Sequence, residues 1–215
     1  MQMSVDTGDK KAQLVHRREE EILAAAKRIF AQNGFRRTKI DQLAEELNVG
    51  KGTIYRYFKD KKSLFLAVFE QGMARLSQTI KDNVAPITDP QIKVATAVRT
   101  YFEFFENDRQ LIEILMQVRS EFKDDYRRVF LTLYSDYIVR IQENLRNGVK
   151  MGVFRELDVE KTAEAMSAAL QGVLQGFYIR EFGPEIETSN PEKLTNRTEA
   201  VTALLLEGLL KRDSN

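Results

Sequence analysis

Apolar residues recur at three- and four-residue intervals along most of the chain, which is the spacing of one face of an α-helix. Ile22, Ile29 and Phe30 belong to the first such stripe, which predicts a helix over residues 17–33. Gly34 follows directly and accepts the positive φ that ends many helices. No segment shows the strict alternation typical of a strand. The pattern therefore predicts an all-α protein.

The same periodicity predicts about nine helices in total. Thr38 is expected to cap the second helix with its hydroxyl, and Asp41 to complete a capping box. Residues 1–16 are polar and lack periodicity, so they are predicted to form a flexible arm. The eight later helices are expected over residues 38–47, 51–58, 61–84, 90–105, 108–116, 121–147, 158–182 and a last segment ending near 211.

Charge is unevenly distributed along the chain. Residues 17–62 hold twelve basic and seven acidic residues, a net charge of +5, whereas the whole chain carries +1. A basic segment of this kind favours contact with an anionic partner such as DNA.

Composition argues against several other classes. The chain has no cysteine, and its single histidine, His16, lies among charged residues, where a surface role is expected. With no nucleophile motif and no cluster of metal ligands, an enzyme is not predicted, and neither a cofactor nor a metal is expected. No apolar run approaches the length of about 20 residues that spans a bilayer, and no secretory signal is recognisable. We expect a cytoplasmic protein that does not associate with membranes.

The segment 38–64 carries the most specific chemistry. Two short helices joined by the turn Asn48-Val49-Gly50 form a helix-turn-helix pattern, in which the second helix enters the DNA major groove. Lys51 begins that helix, and a lysine there can donate to guanine O6 and N7. Gly52 leaves room for the backbone to approach DNA closely. Lys61 begins the next helix, whose N-terminal amides favour an anion such as phosphate.

This segment resembles the DNA-binding signature of the TetR family of transcriptional regulators. The matching residues are Thr38, Leu43-Ala44, Val49, Lys51-Gly52-Thr53-Ile54-Tyr55, Tyr57-Phe58, Lys61 and Leu64. Four positions depart from the usual pattern: Leu47-Asn48 replaces Ala-Gly, Gly50 replaces serine, and Lys62 replaces an acidic residue.

The resemblance assigns roles to individual residues. Lys51, Gly52 and Arg56 would face bases, whereas Ile54 and Phe58 would belong to the core. The residues that would mainly position the DNA backbone are Thr38, Thr53, Tyr55, Tyr57 and Lys61. Lys39 and Gly50 are further expected DNA contacts.

The resemblance also implies how the chain is divided: an arm over 1–16, a three-helix DNA-binding domain over 17–76, and a helical domain over 77–215 that dimerises and binds a small molecule. Small and apolar residues on the last two long helices suggest the dimer interface, although burial within one chain would give the same pattern; they are Ala165, Ala169, Gly172, Gly176, Leu204, Leu205 and Gly208. Aromatic and polar residues of the middle helices are candidates for a lipophilic ligand, although each could equally be core or surface; they are Tyr101, Phe105, Met116, Arg119, Phe130, Tyr134, Tyr137, Gln171 and Gln175.

The expected function is a repressor that binds a palindromic DNA operator as a homodimer and is released by an unidentified small effector. The alternative is a helix-turn-helix protein without an effector, controlled by a partner protein or associated with the nucleoid.

Overall fold

The computed structural model describes residues 5–182 and 193–210, with the backbone alone described at 5–9, 130, 133, 134 and 182. It contains nine α-helices in these ranges, and a short 3-10 helix at Leu194–Arg197 precedes the last of them. The helices are α1 (Val5–Arg37), α2 (Ile40–Glu46), α3 (Lys51–Tyr57), α4 (Lys61–Val84), α5 (Pro90–Asn107), α6 (Arg109–Glu121), α7 (Lys123–Lys150), α8 (Val159–Phe182) and α9 (Thr198–Leu209). The predicted all-α class is confirmed.

Helix α1 is longer than the sequence pattern indicated. It begins at Val5, so the prediction of a flexible arm is wrong for residues 5–16. Leu14 and Val15 are about half exposed, at 58% and 45%, and therefore leave no apolar stripe for a pattern to detect. Once a packed segment has started a helix, each added residue gains a hydrogen bond at little further cost. The extension follows from helix propagation rather than from burial.

The start of α2 also differs from the prediction. Lys39, not Thr38, precedes the helix, and its N–H donates to the Gln42 side chain at 3.2 Å. The Thr38 hydroxyl instead donates back to the Gly34 carbonyl at 2.8 Å. Gly34 has a φ of +76°, a region that residues with a Cβ rarely adopt. The chain therefore breaks at Gly34, and Thr38 stabilises that break rather than capping the next helix.

The first compact unit comprises Met1–Gly72 together with Gln110–Arg127. The sequence analysis placed the end of the first domain at residue 76 and did not predict that α6 and the start of α7 return to this unit. Four aromatic rings hold the segments together: Phe30 meets Phe65 edge-on at 4.9 Å, and Phe35 meets Phe122 at 4.8 Å. Because these rings come from α1, α4 and the α6–α7 junction, the unit has one shared core.

The second unit comprises Met73–Arg109 and Arg128–Asn215. Asp89 accepts hydrogen bonds from the Gln91 and Ile92 amides and so caps α5. Pro90 occupies the first helical position, where the sequence predicted that this helix begins. Asp158 likewise accepts from the Lys161 amide at 3.1 Å at the start of α8. Within the described ranges, no helix has the length and apolar character needed to cross a membrane.

Candidate nucleic-acid interface

The two short helices α2 and α3 are anchored by their inner faces. Ile40 and Leu43 of α2 are buried, as are Ile54 of α3 and Phe58 directly after it. Asn48 in the connecting turn has a φ of +51°, a left-handed conformation that asparagine tolerates better than most residues. Inner-face burial fixes which side of α3 remains open to solvent.

The outer face of α3 carries the residues predicted to contact DNA. Lys51, Gly52, Tyr55 and Arg56 are exposed, at the spacing of one helical face. Thr53 and Tyr57 are half-buried at its edges, and Lys39 and Gly50 are exposed nearby on the chain. Lysine and arginine donors on a short solvent-facing helix form a surface that suits base edges and phosphates.

Gly52 is not required by the fold. Its backbone has no positive φ, and a Cβ added there would meet nothing within 4 Å. A glycine inside a helix costs about 1 kcal/mol relative to alanine. Folding alone therefore does not explain the glycine, which points to a requirement imposed from outside the chain.

Lys51 is held by a carboxylate that the sequence analysis did not include among the contacts. Its ammonium lies 2.6 Å from Asp41 Oδ1, and both side chains are about half exposed. The hydrogen bond from Lys51 to Asp41 raises the pKa of the Lys51 ammonium above its ordinary value. A base that accepts from Lys51 must therefore compete with Asp41.

Lys61 does not point toward solvent as a free cation. Its Nζ donates to the carbonyls of Phe35 at 2.9 Å, Arg36 at 3.3 Å and Thr38 at 3.0 Å. It also lies 4.5 Å from the centre of the Phe35 ring. An ammonium has three donors, and three carbonyls occupy them here. In this structure Lys61 holds the α1–α2 junction rather than presenting its charge to a phosphate.

The expected anion site at the start of α4 is also filled. Asp60 Oδ1 accepts from the Ser63 amide at 2.7 Å, which lowers the pKa of the Asp60 carboxyl. The side chain of Thr38 is only 3% exposed, with its hydroxyl committed to Gly34. Neither the Thr38 hydroxyl nor the Lys61 ammonium is available to phosphate in this conformation, which corrects two of the predicted contacts.

The predicted ligand residues are not brought together as one group. Tyr101 and Phe105 are buried and stack edge-on at 5.1 Å as part of the core of the second unit. Gln171 donates to the neighbouring Ser167 hydroxyl at 3.1 Å, and Gln175 is exposed. Tyr137 lines a cavity in the second unit.

The other ligand candidates lie elsewhere. Met116, half-buried, and Arg119, exposed, belong to α6 in the first unit. The side chains of Phe130 and Tyr134 lie outside the described residues.

Most of the predicted dimer residues face away from the chain's own core. Ala165, Gly172, Leu204 and Gly208 are exposed, with Leu204 at 69%. Ala169, Gly176 and Leu205 are half-buried, and Leu205 lines the same cavity as Tyr137.

The family model for bacterial regulatory proteins of the tetR family matches residues 22–68. This range covers about the second half of α1, all of α2 and α3, and the start of α4. The chain belongs to the TetR family. The signature residues quoted from the sequence thus coincide with the part of the TetR protein that carries the exposed basic face of α3.

Curated relatives agree with this assignment, and solved structures share the fold. The chain is 29% identical to the HTH-type transcriptional regulator YhgD of Bacillus subtilis, and the match covers 69% of this chain and 78% of YhgD. It is 26% identical to the transcriptional repressor AcnR of Corynebacterium glutamicum, covering 83% of this chain and 87% of AcnR. The FadR regulator of Bacillus subtilis, solved with stearoyl-CoA, superposes with a TM-score of 0.75 at 20% identity, covering 88% and 98% of the two chains.

One residue of this TetR protein was missed by the sequence analysis although it contacts the break at Gly34, near the end of α1. Gln117 of α6 accepts from the Phe35 amide at 2.8 Å and donates to the Phe30 carbonyl at 3.2 Å. The break at Gly34 frees these backbone groups, and a side chain distant in sequence satisfies them. Only a pattern of buried polar residues within α6 could have indicated this role of Gln117 from the sequence. A single glutamine does not form such a pattern.

Proposed function

We propose that this TetR protein is a repressor that binds a palindromic operator as a homodimer and releases it when a small lipophilic effector binds. The observation that carries the proposal is the exposed face of α3, where Lys51, Tyr55 and Arg56 surround a glycine that the fold does not need. Lys51 and Arg56 would read bases, and Tyr55 would contact the backbone, since phosphate contacts orient a protein and base contacts specify sequence.

The homodimer is supported by an apolar surface with small residues on α8 and α9. Added Cβ atoms at Gly172, Gly176 and Gly208 would meet nothing within 4 Å, so the chain's own packing does not require these glycines. Leu204 and Ile179 are 69% and 54% exposed on the same two helices. A palindromic site needs two recognition helices related by two-fold symmetry, about 34 Å apart. A second copy on this surface would supply the symmetry.

Replacing Leu204 by lysine is expected to convert the dimer into a monomer, because two buried charges would face each other across a two-fold interface. Light scattering after gel filtration measures the mass, and fluorescence anisotropy measures operator affinity, which should fall at least about a hundredfold as half of the contacts are lost. Ile92→Lys on α5, where isoleucine is similarly exposed at 55%, is the matched control. A dimeric Leu204→Lys protein would contradict the proposed interface.

Replacing Asp41 by asparagine is expected to strengthen DNA binding by about three- to tenfold. The substitution removes a carboxylate that faces the anionic duplex and frees Lys51 from its ion pair, and like charges across an interface oppose association. Titrations against the operator and against unrelated DNA measure both affinities. Glu45→Gln, another exposed acid on α2, is the control. Weaker operator binding would instead assign Asp41 a direct role in base recognition.

Effector control is supported by the family and by the acyl-CoA complex of the FadR relative. Linkage requires that an effector which lowers operator affinity is itself bound less tightly when operator is present. Sequencing genomic fragments captured by the purified protein would identify the operator, and a palindrome is expected. A screen for compounds that both raise the melting temperature and release this DNA would identify the effector. Failure to select any duplex at low salt would reject the proposal.

A further inference from the structure

A cavity of about 250 Å³ lies within the second unit, between α4, α5, α7 and α8, with one contribution from α9. Its walls are largely aliphatic, including Ile80, Val94, Val98, Ile141, Met166 and Leu170. Ligand sites commonly have about 300–1,000 Å³ and are mostly apolar with a few polar groups. This cavity is therefore suited to a slender apolar group rather than to a bulky one.

Three cations line the same cavity. Lys81 is exposed and marks the side open to solvent, whereas Lys93 and Arg140 are half-buried. The one carboxylate in the lining, Glu143, is exposed. The polar part of the cavity thus carries an excess of positive charge next to an aliphatic interior.

Arg140 is the most informative of these cations. Its guanidinium donates to the Ser77 hydroxyl at 3.0 Å, a neutral partner. Within the described part of the chain, none of Lys81, Lys93 and Arg140 forms an ion pair. By contrast Arg146, one turn and a half further along α7, pairs with Glu160 at 2.7 Å. Half-buried charges are normally paired because removing them from water is costly.

We propose that this cavity binds an aliphatic molecule with an anionic head, whose chain occupies the apolar interior and whose charge is bound by Arg140 with Lys93. The inference rests on the proposed effector control and specifies the chemical class of the effector. The anionic head could be a free carboxylate or the phosphates of a thioester carrier, since a guanidinium binds both in the same bidentate manner.

The test measures direct binding to the full-length protein without DNA, by calorimetry and by thermal shift. Octanoate, octanoyl-CoA and octan-1-ol are the probes. Octanoate or octanoyl-CoA should bind at least about tenfold more tightly than octan-1-ol, because hydrogen bonds to charged groups are the stronger ones. Whichever anionic probe binds more tightly identifies the source of the head group.

Two variants locate the binding. Arg140→Gln should weaken the anionic probes about ten- to hundredfold and leave octan-1-ol unchanged, whereas Arg146→Gln should change neither. Ala97→Phe, which fills the cavity from α5, should weaken all three probes. Equal binding of alcohol and acid, equal effects of the two arginine variants, or no binding of any probe would each overturn the inference. Operator binding by the unliganded protein tests the proposed function separately. A failure of the cavity inference can therefore be distinguished from a failure of the proposed function.

Discussion

Replacing Lys61 by methionine is expected to lower both the melting temperature and the operator affinity, while the salt dependence of DNA binding stays unchanged. Methionine keeps the aliphatic stem but removes the hydrogen bonds to the Phe35, Arg36 and Thr38 carbonyls. Hydrogen bonds to a charged group are worth about 1.5–3 kcal/mol each when sheltered. Because Lys61 is half exposed, we expect a total loss near 2 kcal/mol in the free energy of unfolding.

The salt dependence separates this role from a phosphate contact. Each phosphate neutralised by a lysine contributes about one unit to the slope of log affinity against log salt. Lys61→Met should leave the slope as it is, because the lysine acts by holding the α1–α2 junction. Lys59→Met, which alters an exposed neighbouring lysine, is the matched control for charge. If the slope fell by one unit and the melting temperature did not change, Lys61 would instead contact a phosphate.

Replacing Gly52 by alanine should separate folding from DNA binding. The added methyl group meets nothing within the chain, so the variant should be as stable as the parent or more stable by up to about 1 kcal/mol. Against DNA the same methyl group would enter a closely packed interface, where overpacking costs about 1–3 kcal/mol. Operator affinity should therefore fall about ten- to hundredfold.

Thermal unfolding and anisotropy titration of the same Gly52→Ala preparation provide both measurements. Alanine has the higher helix propensity, so any loss of stability would reveal an intrachain role that the open surroundings of Gly52 do not suggest. Unchanged affinity in a stable variant would mean that DNA does not approach the α3 backbone at this position, and the docking proposed for α3 would then be wrong.

The sequence predicted the helices and the exposed face of α3 because both depend on local chemistry. Helical periodicity, the turn at Asn48 and the starts of α5 and α8 each depend on residues close together in the chain. The sequence did not predict the roles of Lys61 and Gln117. Their partners are backbone groups freed by the break at Gly34, and a side-chain pattern does not record which backbone groups lack partners.

The residues that line the cavity were harder to predict for a different reason. A cavity and a packed core are lined by the same aliphatic and aromatic residue types, so composition does not distinguish them. Tyr101 and Phe105 prove to be core, whereas Tyr137 lines the cavity. Arg140 was not selected from the sequence, because its half-burial and its neutral partner become visible only when α7 is placed against Ser77 of α4.

The return of α6 to the first unit limits how this regulator can be divided into parts. A fragment ending at Gly72 would lack Gln117, leaving the Phe35 amide without its acceptor, and would lack Phe122, which packs against Phe35 and Phe65. Hybrid regulators made by exchanging DNA-binding domains at a single junction would lack the same contacts of Gln117 and Phe122. A functional chimera of this protein should carry residues 110–127 from the same parent as its DNA-binding domain, which means two exchanged segments instead of one.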